Sequence, residues 1–185
     1  MISLSALWLP ILLSAVFVFI ISSLLHMVFT YHNSDFKKLD NEKEIMDALA
    51  PLNIPPGEYV FPYAKDNKER SAPEFIEKAE KGPVGILNVF PNGIGNMTSS
   101  LVLWFIFSLV ISVFSGYIAS AALSSEAHYL QVFRFVGSSA FMGYSLALMQ
   151  NTIWFKRPWA STLKSMFDGF IYALITAGTF GWLWP

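Results

Sequence analysis

Four stretches of this chain run for twenty residues or more with almost no charge, and each is long enough to cross a bilayer. A membrane core takes about 20 helical residues to span. The stretches are Ser5–Phe29, Ser100–Leu123, Tyr129–Phe155 with one charge at Arg134, and Ser165–Trp184 with Asp168 near its start. Only SSEAH separates the second from the third, and KRPWASTLK the third from the fourth. Linkers this short make consecutive helices antiparallel neighbours. The expected fold is a four-helix transmembrane bundle, all-α in the membrane.

Charge distribution sets apart a second region. Of 25 Asp, Glu, Lys and Arg residues, 19 lie in positions 30–99, eight basic and eleven acidic. A formal net charge of -1 and the absence of a basic face exclude a nucleic-acid binder. With no cysteine, disulfides, thiolate metal centres and cysteine catalysis are excluded together. The expected organisation is a helix at 5–29, a cytoplasmic α/β insertion at 30–99, and helices at 100–123, 129–155 and 165–184. A cleaved signal peptide fits the first helix poorly, because Met1–Leu4 carries no charge and the apolar run is long.

The insertion carries its own punctuation. Asn41-Glu42-Lys43-Glu44 fits a capping box ahead of Ile45, Met46, Leu49 and Leu52. Pro55-Pro56-Gly57 precedes a strand expected at Glu58–Tyr63, and Ser71-Ala72-Pro73-Glu74 opens a helix carrying Phe75, Ile76 and Ala79. Gly82-Pro83 stops that helix, Val84–Phe90 reads as a second strand, and Pro91-Asn92-Gly93 as a turn. A unit of this size is near the lower limit for an independent core. It is expected to lean on the bundle or on a partner.

Orientation follows from basic residues, which concentrate on the cytoplasmic side. Lys37 and Lys38 follow the first helix, and Lys156, Arg157 and Lys164 fill the last linker on the same side. Both termini are therefore expected in the periplasm. Tryptophans favour membrane interfaces, which places Trp8, Trp182 and Trp184 at the outer face and Trp104, Trp154 and Trp159 at the inner one.

Small residues at four-residue spacing let membrane helices approach closely. Gly169, Ala173, Ala177 and Gly181 form such a stripe, as do Ser108, Ser112, Gly116 and Ser120, and Ser139, Gly143 and Ala147. These faces serve packing within the bundle or against another subunit.

Ionisable groups in apolar helices are functional suspects, because burying them in lipid is costly. Arg134 is expected to pair with Glu126, with His128 or with lipid phosphate. Asp168, read as lying at a helix start, is expected to cap it through the helix dipole. Its alternative role is an ion or proton site formed with His26, Gln150 and Asn151. His26 and His32 are six apart, the wrong period for one face of a continuing helix, so no metal centre is expected. PNGIGN at 91–96 lacks the GK[ST] of a phosphate loop. Lys156-Arg157-Pro158 shares part of a lipid-phosphatase pattern, but no histidine follows it. Gly137-Ser138-Ser139 is too shallow to argue an intramembrane serine protease.

The segments PPGEYVFPY, FRFVGSSAFMGY and TLKSMFDGFIYALITAGTFGWLWP resemble a family of small, uncharacterised bacterial inner-membrane proteins with four helices. The resemblance implies a multi-pass bacterial inner-membrane location and transfers no activity or site residue. The expected function is a non-enzymatic accessory or scaffold component of a membrane complex. No cofactor is expected, and the expected partners are the lipid bilayer and, through the small-residue helix faces, other membrane subunits. The alternatives are a small ion or solute conduit around Asp168 and, third, a lipid-acting membrane enzyme.

Overall fold

The computed structural model describes residues 2–185. In chain order its elements are α1 (Trp8–Met27), α2 (Glu42–Leu49), β1 (Gly57–Phe61), α3 (Asn67–Arg70), α4 (Pro73–Lys81), β2 (Gly85–Val89), α5 (Met97–Ala122), α6 (Tyr129–Tyr144), α7 (Met149–Phe155) and α8 (Trp159–Trp182). Short 3-10 turns sit at Leu4–Leu7, Tyr31–Ser34, Ala50–Leu52 and Leu146–Leu148. The chain divides into two compact units, one of residues 1–37 with 96–185 and one of residues 38–95.

The first unit is a helical bundle. Three of its segments are long and apolar enough to cross a membrane: Leu4–Met27, Met97–Ala122 and Tyr129–Phe155. Helix α8, with 24 residues, is comparable in length but carries Lys164 and Asp168 and is not among those three. Helix α1 packs on α5 and α8, and α6 packs on the same two. One apolar cluster joins Val18, Ile111, Ala140, Tyr144, Tyr172 and Ala173; another joins Leu7, Ala119, Val132, Val136 and Phe180.

Small and hydroxylated residues make these contacts close. Ser108, Ser112, Gly116 and Ser120 of α5 are all buried. Ser14 donates to Ser112 at 2.9 Å, and the Trp104 indole donates to Ser22 at 2.8 Å. Trp104 packs against Phe107, Tyr144 and Tyr172. Half-buried, it packs between α1, α6 and α8.

Two departures from the sequence reading bear on the packing of α8. The third apolar stretch is not one continuous helix: α6 ends at Tyr144, and Ser145 turns its hydroxyl to donate to the Met166 carbonyl of α8 at 3.1 Å. The expected stripe Ser139, Gly143, Ala147 does not run past that break: a Cβ at Gly143 would meet Ile111 of α5 at 3.2 Å, but Ala147 is exposed beyond α6, whose buried face is Val132, Val136, Ala140 and Tyr144. The last helix begins at Trp159 rather than Ser165, because Pro158 sets its start and Ala160–Lys164 continue it without a breaker. Lys156, in a left-handed conformation (φ 57°), turns the chain between α7 and α8.

The second unit pairs β1 and β2 antiparallel, with Tyr59 opposite Leu87 and Val60 opposite Ile86. Both strands are shorter than expected, since Pro62 has no N–H to extend the ladder beyond Phe61. Asn41 occupies the first cap position of α2, but its side chain makes no capping bond, so the expected capping box does not form there. A cap forms instead at α3, where Asp66 accepts from the Glu69 N–H at 2.8 Å. Helix α4 starts with Pro73 and stops at Gly82 (φ 64°). No residue in 38–95 is buried.

Candidate functional site

A cluster of ionisable residues gathers where α1 ends. Helix α1 stops at Met27, and the 3-10 turn Tyr31–Ser34 folds the following segment back toward α8. Asn33, Ser34 and Asp35 favour such non-helical local bonding. This reversal brings His32 beside His26, with ring centroids 4.8 Å apart. The six-residue spacing excluded a shared face only for a continuous helix.

Asp168 is the centre of the cluster and is only 3% exposed. It sits in the third turn of α8, so it does not cap that helix. Its Oδ1 accepts from the Tyr31 hydroxyl, and its Oδ2 lies 2.7 Å from His32 Nε2. The other face of that imidazole is held too, with Nδ1 2.7 Å from Asp35 Oδ2. Lys164, one turn before Asp168, donates to the Tyr31 carbonyl (2.6 Å), Ser34 Oγ (2.7 Å) and Asp35 Oδ1 (3.0 Å). Lys164, Asp35, His32 and Asp168 thus alternate in sign along one partly buried chain of contacts.

The electrostatics follow from this alternation. Burial opposes a charge on His32, but hydrogen bonds to Asp35 and Asp168 outweigh it and raise the imidazole above its ordinary range. A carboxylate at each ring nitrogen favours the doubly protonated imidazole. Burial likewise works against the Asp35 anion, yet the bonds from His32 and Lys164 hold its carboxyl below the usual value. The Tyr31 phenol is pushed up by burial first and then by its bond to the Asp168 carboxylate. Bonds between charged partners are the strong class of hydrogen bond, and here they tie the end of α1 to α8.

The remaining sequence candidates are placed as follows. His26 belongs to the cluster: one ligand-capable atom from each of His26, His32 and Asp168 lies within 4.8 Å of the others. Gln150 is exposed on α7, and Asn151 uses its backbone carbonyl to accept from the Arg157 N–H at 3.2 Å. Neither makes a hydrogen bond to Asp168, whose partners are Tyr31 and His32. Among the described residues no ion pair joins Arg134 to Glu126. Arg134 instead edges an apolar groove with Phe133, Phe141 and Phe170, while His128 caps α6 together with Gln131.

The stripe of α8 faces α6. Gly169, Ala173 and Ala177 are buried and Gly181 is half-buried. A Cβ at Gly169 would approach the Tyr144 carbonyl to 2.9 Å, so only glycine allows α8 to pass the break in α6. Sequence reasoning missed Tyr31 and Asp35 and dismissed His32. The available signal was the His32–Asp35 spacing just beyond an apolar run, with residues suited to a turn between them.

Together these features define an α-helical protein with membrane-compatible helices and a partly buried ionic clasp that joins the segment after α1 to α8. No family model, curated protein or solved structure matches the chain.

Proposed function

We propose that this chain is a multi-pass protein of the bacterial inner membrane, crossing it four times with both termini in the periplasm. In this reading it is a non-enzymatic accessory or scaffold component of a membrane complex. Its unit at residues 38–95 docks a second protein. The observation that carries the reading is that this unit has helices and a strand pair yet no buried residue. Ordering a chain costs roughly 1–2 kcal/mol per residue in backbone entropy, which apolar burial must offset. A unit with so little core gains that burial from a partner. Val60 (48% exposed) and Ile86 (43% exposed) lie opposite one another on one face of the strand pair and offer apolar surface for it.

The four-crossing reading rests on α8. Its 24 residues make about 36 Å of helix at 1.5 Å each. Asp168 and Lys164, the charges that lower its apolarity, are both engaged by the end of α1.

Native purification in mild detergent tests the docking role. The expected result is a stoichiometric second chain that is lost from the Val60→Thr/Ile86→Thr variant, since threonine keeps strand propensity while removing apolar surface. A lone monomer from the wild type, or a partner retained by the variant, would count against it.

A conduit around Asp168 is the second reading. It is favoured by the buried hydroxyls of Tyr144 and Tyr172, which lack hydrogen-bond partners within the same bundle. Proton, sodium or potassium flux in reconstituted vesicles that disappears in a folded Asp168→Asn variant would promote it.

A further inference from the structure

We propose that His26, His32 and Asp168 form a binding site for a divalent first-row transition cation of the zinc class. The proposal stands apart from the docking role of residues 38–95. Two imidazoles and one carboxylate are the donor set such ions take, often with a fourth position left open. Calcium and magnesium prefer all-oxygen sets, and a site with two nitrogen donors and one carboxylate disfavours them.

The geometry is close to what an ion requires. Tetrahedral ligands about 2.0–2.1 Å from zinc stand about 3.3 Å from one another. The His32 and Asp168 atoms are already 2.7 Å apart, and all three candidate atoms lie within 4.8 Å. His26 is exposed at the last turn of α1, so its side chain has room to rotate inward. An ion would take the place of the proton that His32 Nε2 shares with Asp168.

The surroundings are those of a metal-binding histidine. A ligating imidazole commonly donates its other N–H to a carboxylate, which fixes the ring and the tautomer. Asp35 holds His32 Nδ1 in that way at 2.7 Å, and Lys164 in turn holds Asp35 at 3.0 Å. Asp35 is therefore a positioning residue, with Nε2 left toward the site. His26 is the feature that the ionic clasp does not explain. Among the described residues it makes no side-chain hydrogen bond, yet its ring lies directly against His32.

That asymmetry supplies the test. Purified full-length protein in mild detergent is stripped with a chelator and titrated with zinc by calorimetry, with thermal melting in parallel. The expected result is one zinc per chain and a higher Tm with the ion. His26→Ala should keep the metal-free Tm, since the clasp does not use His26, while binding zinc at least tenfold more weakly. His128→Ala, which alters the cap of α6 away from the cluster, should bind as the wild type does. The proposal is overturned if the wild type takes up no zinc, if His26→Ala weakens binding less than tenfold, or if His128→Ala abolishes it.

Discussion

Asp168 illustrates how one residue's neighbours change the consequence of replacing it. A capping carboxylate would tolerate asparagine with little loss, because the amide oxygen still accepts backbone N–H bonds. The carboxylate seen here faces a doubly held imidazole and a phenol. Asp168→Asn keeps one acceptor but removes the charge opposite His32, and a loss of about 1–3 kcal/mol is expected. Asp168→Leu strands His32 and Tyr31 together, and removing one partner of a buried pair typically costs about 3–5 kcal/mol. Denaturation in detergent should rank wild type above Asn above Leu. Equal stability of all three would show that the clasp contributes nothing.

Among the helices, the close approach of α6 and α8 depends on small side chains at successive turns. Ala177 is fully buried, and a Cβ at Gly137 of α6 would lie only 3.1 Å from its methyl. Ala177→Leu should therefore destabilise the bundle by about 1–3 kcal/mol through overpacking. Ala160→Leu, on an exposed position of the same helix, should leave the melting temperature unchanged. Indistinguishable losses in the two variants would place the stripe away from any helix neighbour.

The stripes on α5 and α8 were legible in the sequence because a helix that continues keeps its period. The α6 stripe was not, because Ser145 interrupts the helix by bonding to another element. No local pattern encodes that contact. The same reasoning applies to the site. Asp168 and His26 were visible as ionisable groups in apolar runs, whereas Tyr31, His32 and Asp35 acquire meaning only once α1 stops and the chain doubles back.

At the scale of the molecule, the chain divides into a helical unit with three helices apolar enough to cross a membrane and a separate, more polar unit. Hydropathy makes that division plain in the sequence. The strands of the polar unit were also readable from its Gly and Pro punctuation, with boundaries moved by a residue or two. Its lack of any buried side chain was not readable, since burial depends on which faces meet. The membrane helices and the sidedness of residues 38–95 underlie the proposed membrane role, and cysteine accessibility tests them directly. The natural chain has no cysteine, so a single one can be introduced without background. In intact cells an impermeant thiol reagent should label a cysteine at Ser125, in the turn between α5 and α6, and spare one at Asn67. Labelling at Asn67 with Ser125 protected would contradict the orientation, and labelling of both would contradict a membrane crossing between them.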